Sequence, residues 1–311
     1  MVAIAGIFMC EDGKRFAAQD NKLRPPPVAG HAMVALHDRI YIIGGKTRNG
    51  VTNCVWTLAE GRWMLGDPLG LSGLNGVTAV CDEKRGIIVV VGGWDSLGYP
   101  RSETWELDQS VWKTHRKAGP GTRTAHCLSY NSSLGQTVLF GGIGKSGQTL
   151  GDTWVWDGNS WSKLSGKGPD ARAHAAMAYD ESRNTLVLFG GLHRDSSAWY
   201  GDTWEWNGYQ WEKISTDGPD SRAFHCMAFD RHANRVVLFG GAKSTFEEFG
   251  DTWLWNGKIW KEVDNHGPSP RRSHAMTYVP GLTSIVMFGG LSNGQRLDDM
   301  WQWDGSNWSI Q

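Results

Sequence analysis

The sequence predicts an all-β fold built from six copies of one unit. Glycine pairs begin at positions 44, 92, 141, 190, 240 and 289, so neighbouring pairs are 48 to 50 residues apart. Two tryptophans seven positions apart, called a tryptophan pair below, recur at 56/63, 105/112, 154/161, 204/211, 253/260 and 301/308. The glycine pairs and the tryptophan pairs each occur six times, although the two sets share no residue. Self-similarity at such a period is the sequence signature of a repeat architecture.

Each copy has the pattern of four short strands, lettered A to D in chain order. RAHAAMAYD at 172–180 alternates large and small side chains, as a half-buried strand A does. TLVLFGG at 185–191 is an apolar strand B that ends in a glycine pair, and DTWVWDG at 152–158 alternates as strand C before a tight Asp-Gly turn into strand D. Six such units predict a six-bladed β-propeller of antiparallel blades. A seven-bladed ring with one incomplete blade is the alternative.

The N-terminal residues resemble half of such a unit. Asp12-Gly13-Lys14 aligns with Asn256-Gly257-Lys258, and Phe16 falls where Trp260 does. We therefore expect residues 1–24 to form a hairpin like strands C and D, packed on the ring. The domain prediction assigns the six blades to about 25–66, 67–116, 117–166, 167–216, 217–265 and 266–311.

An arginine at the start of strand A, a glycine pair ending strand B and aromatic residues seven apart in strands C and D resemble the kelch repeat. The resemblance covers residues 25–311. It implies a β-propeller, and it leaves function open, because kelch-type propellers include both binding scaffolds and enzymes.

Composition excludes several classes of partner. The net charge of −1 argues against nucleic acid or an anionic membrane as the main partner. No apolar run approaches the roughly 18 residues that a membrane-spanning helix needs. The five cysteines are scattered at 10, 54, 81, 127 and 226, a pattern that indicates reduced thiols in a cytoplasmic protein.

The repeated tryptophans are expected to fill the space between neighbouring blades, where a buried indole removes a large apolar area from water.

Strand order determines which loops share a face. The B–C and D–A loops should lie together on one face, called the long-loop face, and the tight A–B and C–D turns on the opposite face, called the short-turn face. Aromatic residues outside the repeat pattern fall in the B–C loops. They either cover blade edges or form a contact surface, and the candidates are Trp94, Tyr99, Trp199, Tyr200, Phe246 and Phe249.

Four arginines share one position at the start of strand A: Arg123, Arg172, Arg222 and Arg271. They either bond to neighbouring backbone carbonyls or capture an anionic group at the channel mouth with their guanidinium forks. Val28 and Leu74 stand at this position in the first two blades.

Recurring histidines and acids are read as structural. His31, His126, His225 and His274 repeat with the fold, as do Asp152, Asp202, Asp251 and Asp299. No metal site and no cofactor is predicted. A binding scaffold that holds a protein segment or a small anionic ligand is favoured. The alternative is a small-molecule enzyme of the isomerase, lyase or oxidase type at the same channel mouth. The sequence leaves enzymatic activity open and favours a role without it.

Overall fold

The computed structural model describes residues 8–9, 15–16, 23–66, 73–108, 111–115, 119–215, 217–244, 247–263 and 266–311. Strands β1 (Phe8–Met9) and β2 (Arg15–Phe16) pair antiparallel, with Phe8 opposite Phe16. The rest of the N-terminal segment lies outside the described residues. Its packing on the ring and the domain boundaries given above stay predictions.

Blades 1 to 3 follow in chain order. Blade 1 contains β3 (Ala32–Leu36), β4 (Arg39–Ile43), a small hairpin of β5 (Lys46–Thr47) and β6 (Gly50–Val51), β7 (Val55–Ala59) and β8 (Arg62–Gly66). Blade 2 contains β9 (Thr78–Asp82), β10 (Ile87–Val91), β11 (Thr104–Asp108) and β12 (Val111–His115). Blade 3 contains β13 (Arg123–Thr124), β14 (Cys127–Asn131), β15 (Gln136–Gly144), β16 (Thr149–Trp156) and β17 (Trp161–Lys163).

Blades 4 to 6 repeat the arrangement. Blade 4 contains β18 (Ala176–Asp180), β19 (Thr185–Phe189), the hairpin β20 (Leu192–His193) and β21 (Ala198–Trp199), β22 (Thr203–Trp206) and β23 (Trp211–Ser215). Blade 5 contains β24 (Cys226–Asp230), β25 (Arg235–Phe239), β26 (Thr252–Trp255) and β27 (Trp260–Val263). Blade 6 contains β28 (Ala275–Val279), a 3₁₀ helix (Pro280–Leu282), β29 (Ser284–Phe288), the hairpin β30 (Leu291–Ser292) and β31 (Gln295–Arg296), β32 (Met300–Trp303) and β33 (Trp308–Ile310).

The six sheets form a closed ring, which confirms the six-bladed β-propeller. Within each blade the four main strands pair antiparallel in chain order. The A strands of neighbouring blades contact one another, and β28 of blade 6 contacts β3 of blade 1. The described part of the chain contains no seventh four-stranded sheet. Nor does it contain a helix with the length and apolarity needed to cross a bilayer.

A ring of backbone hydrogen bonds surrounds the central channel just before the A strands. Each of six residues donates its N–H to the carbonyl of its counterpart in the preceding blade, at 2.8 to 3.4 Å. The six are Gly30, Gly76, Ala125, His174, Phe224 and Ser273. All have a positive φ between 53° and 67°. The bond from Gly30 to Ser273 joins blade 1 to blade 6, so the same contact that links successive blades also closes the ring.

The glycine pairs are required where blades meet. Gly190 has φ +67°, and a Cβ there would lie 2.5 Å from the carbonyl oxygen of Arg222 in the next blade. Gly191 donates its N–H to that oxygen at 2.8 Å. Any side chain at Gly190 would push the two blades apart, so glycine is required where the two backbones approach this closely.

In blades 3 to 6 the two members of each tryptophan pair differ in burial and in hydrogen-bond partner. The second members Trp161, Trp211, Trp260 and Trp308 are buried, and each donates its indole N–H to a threonine of the preceding blade at 2.8 to 3.0 Å. The first members Trp154, Trp204, Trp253 and Trp301 are half-buried and bond to an aspartate of their own blade. In blades 3 to 6 the second members therefore bond directly to the preceding blade, and the first members pack beside the same inter-blade clusters. In blades 1 and 2 the first members Trp56 and Trp105 are the buried ones and lie in clusters with residues of the preceding blade.

One cysteine departs from the sequence expectation. Cys54 is disulfide-bonded, so the prediction that every cysteine is a thiol is wrong at this position. Cys81, Cys127 and Cys226 are free. Cys10 lies outside the described residues.

Candidate functional site on the long-loop face

The B–C and D–A loops meet on one face of the propeller. Isolated backbone bridges join the two kinds of loop, for example Asn75 with Trp94 and Ala173 with Leu192. These bridges place the B–C loops beside the starts of the A strands. The mouth of the channel on this face is therefore framed by residues from both sets of loops.

The four recurring arginines are buried and paired with the four recurring aspartates. Arg222 donates from Nη1 to Asp251 Oδ1 at 2.6 Å and from Nη2 to Asp251 Oδ2 at 2.8 Å. It also donates to the carbonyls of Gly240 and Asp220, both at 3.0 Å. The pairs Arg123–Asp152, Arg172–Asp202 and Arg271–Asp299 repeat this bidentate geometry. Each arginine is at most 2% exposed.

These contacts leave little of each guanidinium for a ligand. Tyr200 lies over Arg172 and Phe249 lies over Arg222, each with the ring centroid 4.0 Å from the guanidinium carbon. Burial alone would raise the pKa of the Asp251 carboxyl, but the Arg222 charge and hydrogen bonds, aided by the Trp253 indole, lower it. Each pair connects a D–A loop to strand C of the same blade. The arginines therefore bond to groups of the protein itself, the structural alternative to anion capture.

A cavity of about 400 Å³ occupies the long-loop end of the channel. The ring of positive-φ residues lines it, and the His174 and Phe224 rings lie tilted against each other there, with centroids 4.0 Å apart. Lys46 and Arg296 are the charged residues among its described lining, and no aspartate or glutamate is included. Nε of Arg296 is buried and has no hydrogen-bond partner within the described residues. Sequence reasoning missed both cations because they belong to the B–C hairpins β5–β6 and β30–β31, where the side chains differ from blade to blade.

The aromatic candidates occupy different settings. Tyr99 is 65% exposed and follows Leu97, which is 76% exposed. Trp94 is half-buried, and its backbone pairs with Asn75 at the channel mouth. Trp199 and Tyr200 line one shallow depression between blades 4 and 5. The described candidates thus lie in three separate places, the B–C loops of blades 2, 4 and 5, the last with Phe249 over Arg222, and Phe246 lies outside the described residues.

The repeated histidines lie at blade junctions. His31, His225 and His274 pack edge-on against Phe288, Phe189 and Phe239 of the preceding blades, with centroids 5.5 to 5.8 Å apart. Burial lowers the pKa of His31 to about 4 and of His126 and His225 to about 3, and the pKa of His274 is lowered well below 6.5. Across the described residues, no group of three or more His, Cys, Asp and Glu side chains could hold a metal ion.

One hydroxyl–imidazole pair lines the cavity. Thr78 Oγ1 and His126 Nε2 are 2.6 Å apart. His126 Nδ1 is buried and has no partner in the described part of the chain. A nucleophile and base normally come with a third group that orients the base, and this pair lacks one.

The short-turn end of the channel carries a charged cluster that sequence reasoning missed. The Arg231 guanidinium pairs with Glu83 and with Glu181, which belong to blades 2 and 4. Tyr278 of blade 6 lies under it, 5.6 Å from the ring centroid. Since the three charges come from three different A–B turns, only the closed ring reveals the cluster.

The comparisons agree with this architecture. Residues 183–311 match a family model described as the KLHDC2/KLHL20/DRC7 Kelch-repeats domain. No curated protein matches the chain in a comparison of sequences. A solved structure titled "Structure of YjhT" is similar to 93% of this chain and 98% of that chain, with a TM-score of 0.72 and 16% identity. Identity this low shows the fold alone, and since 493 solved chains match, the fold selects no function. With six antiparallel blades, glycine pairs at the blade junctions and buried arginines at the start of strand A in blades 3 to 6, the chain is a six-bladed β-propeller whose residues 183–311 match a kelch-repeat family model.

Proposed function

We propose that this chain is a binding module that holds a protein segment across the long-loop mouth of its channel. The observation that carries the proposal is the cavity of about 400 Å³ with Lys46 and Arg296 at its wall and no carboxylate among its described lining. A segment with an acidic group fits there, because an arginine with unused donors forms directional, charge-assisted bonds with a carboxylate. A small anionic ligand is the simpler form of the same proposal.

Apolar groups on the long-loop face support a protein partner. Leu97 and Tyr99 are exposed on the B–C loop of blade 2, and Asp95 fixes this loop by accepting the N–H groups of both residues at 3.0 and 2.8 Å. Aromatic side chains on a rigid loop provide contact area with little loss of conformational entropy. The four buried arginines are not part of the proposed binding surface, because their donors are engaged within the blades.

Reversing the two mouth charges tests the proposal. The tagged protein and the variant Lys46→Glu/Arg296→Glu are used to capture partners from a lysate of the source cells. We expect a partner retained by the wild type to be lost with this variant. The variant Arg62→Glu/Lys163→Glu makes the same charge change at exposed positions of blades 1 and 3 and should retain it. Equal capture by both variants would contradict the proposal.

The Thr78–His126 pair favours the enzyme alternative. With a pKa of about 3, His126 is a weak base near neutral pH, and for this reason binding is preferred. A fluorophosphonate probe that reacts with activated hydroxyls tests the alternative. Labelling that disappears in Thr78→Val would establish a nucleophile, whereas we expect no labelling of Thr78.

The cytoplasm is the compartment that we propose, on the basis of the three free thiols. The Cys54 disulfide favours an oxidising compartment instead. Fractionation of cells that express the tagged chain decides between them, and recovery of the chain from the medium or an oxidising lumen would overturn the proposal. Nucleic acid and membrane are not among the proposed partners because the net charge is −1.

A further inference from the structure

A second cavity, called the blade-1 cavity, lies where blade 1 meets blade 6. Its volume is about 550 Å³. Val28, Gly44, Thr52, Cys54 and Trp56 of blade 1 line it, together with Arg296 of blade 6. It is more enclosed than the channel mouth.

Backbone register shows which residues of other blades occupy the equivalent space. Gly44 donates its N–H to the carbonyl of Cys54, as Gly190 donates to Asp202 in blade 4. Leu74 donates to Thr52, as Arg222 donates to Tyr200. Val28 lies at the arginine position.

Blade 1 therefore has small residues where blade 4 has the Arg172–Asp202 pair covered by Tyr200. Val28 replaces the arginine, Cys54 the aspartate and Thr52 the tyrosine. All three line the blade-1 cavity. The cavity lies where blade 4 has these larger side chains, beside the disulfide of Cys54.

Blade 2 also lacks the arginine at the start of strand A, yet it is filled differently. Leu74 stands at that position and is fully buried. Arg101 pairs with Glu103 at 3.1 Å, and Glu103 stands two residues before Trp105, at the aspartate position. An arginine–carboxylate pair is thus present in blades 2 to 6, whereas blade 1 has neither partner at these positions.

The walls of the blade-1 cavity combine an apolar interior with a cationic rim. Pro26, Val28, Ile42 and Trp56 provide apolar surface, and Arg24, Arg48 and Arg296 provide the charges. Its described lining includes no aspartate or glutamate. Arg24 pairs with Asp298 at 3.3 Å, whereas Nε of Arg296 is buried without a partner in the described part of the chain.

We propose that the blade-1 cavity binds a small carboxylic acid with an aromatic or branched aliphatic body. The apolar body occupies the space of the missing side chains, and Arg48 and Arg296 hold the carboxylate. Enclosed apolar pockets with a few fixed polar groups are the usual sites for small molecules. This site goes beyond the proposed function, since a protein segment at the channel mouth does not require it.

Binding of 3-(4-fluorophenyl)propionate, followed by fluorine NMR, tests the proposal. The neutral 3-(4-fluorophenyl)propanamide has the same body without the charge. We expect saturable binding of the acid and at least about tenfold weaker binding of the amide, because the amide forms no charge-assisted bond with arginine. No binding of the acid, or equal binding of acid and amide, would overturn the proposal.

Two filling variants locate the site. Val28→Arg/Cys54→Asp rebuilds the pair found in blade 4 but also removes the Cys54 disulfide, whereas Thr52→Tyr adds only the covering ring and keeps the disulfide. Both should abolish acid binding, and Thr52→Tyr provides the test if the double variant does not fold. Arg194→Gln removes an exposed arginine from the B–C loop of blade 4 and should bind like the wild type. Unchanged acid binding by a folded Thr52→Tyr protein would place the acid elsewhere and refute the proposal. Because Thr52→Tyr leaves Lys46 and Arg296 in place, partner capture and acid binding can fail separately.

Discussion

At the scale of single residues, the buried arginine–aspartate pairs explain why the same two residue types recur in four blades. The sequence predicts the position of each residue but not the pair, because Arg172 and Asp202 are 30 positions apart on different loops. Once the loops meet, the guanidinium satisfies two backbone carbonyls as well as the carboxylate. The sequence alternative of anion capture used the same donors, and only the structure shows them engaged.

Removing one partner of a pair should destabilise the fold. Arg222→Met leaves the half-buried Asp251 carboxylate without its counter-charge, and we expect a loss of about 3–5 kcal/mol in the free energy of unfolding. Chemical denaturation measures the loss, and the exposed Arg194→Met is the matched control with little expected change. Equal stability of the two variants would show that the pair does not hold the loops.

At the scale of blades, the two members of the tryptophan pair in blade 4 make different hydrogen bonds. Trp211 packs against Phe140 of blade 3 with centroids 5.5 Å apart and bonds to Thr153 at 2.9 Å. Trp204 bonds to Asp202 of its own blade at 2.7 Å and is half-buried. The spacing of seven predicts strands C and D correctly. It does not tell which member faces the neighbour, because that depends on how the blades are stacked.

The two members should differ in their effect on stability. Trp211→Ala removes an inter-blade contact and is expected to cost about 3–5 kcal/mol of unfolding free energy, the range for large buried aromatics. Trp204→Ala removes a partly exposed ring and should cost less, about 2 kcal/mol. Denaturation of the two variants side by side measures the difference, and a larger loss for Trp204→Ala would contradict the division of roles.

At the scale of the whole molecule, the closed ring creates sites that no single repeat encodes. The mouth cations Lys46 and Arg296, the blade-1 cavity and the Arg231 cluster all lie where residues of distant blades meet. Glu83 and Arg231, for example, are 148 positions apart. The repeat pattern predicts the six blades and the long-loop face because these depend on local spacing. The sites depend on where blades 1 and 2 depart from the repeat and on ring closure.

Burial of four neutral histidines at blade junctions makes the whole ring sensitive to acid. The folded pKa of His31, His126, His225 and His274 lies below the ordinary 6.5, so the unfolded chain binds more protons below that pH. This stability is therefore fully present well above pH 6.5 and is lost as the pH falls from 6.5 toward 3 to 4. At one unit below 6.5, each histidine contributes a loss of about 1.4 kcal/mol.

Thermal melting across this pH range tests the histidine account. His225→Leu removes one of the four buried histidines, so the melting temperature of this variant should fall less steeply with decreasing pH than that of the wild type. The exposed His232→Gln should leave the slope unchanged. A melting temperature that stays constant between pH 6.5 and 5 would contradict the account.

Photo-crosslinking from two exposed tyrosines tests the central claim, that the partner binds the long-loop face. A photoreactive benzoylphenylalanine replaces either Tyr99 on this face, 65% exposed, or Tyr209 in a C–D turn of the short-turn face, 83% exposed. In source cells, we expect a discrete crosslinked adduct from position 99 and none from position 209. An adduct from position 209 with none from position 99 would place the binding surface on the opposite face and contradict the claim.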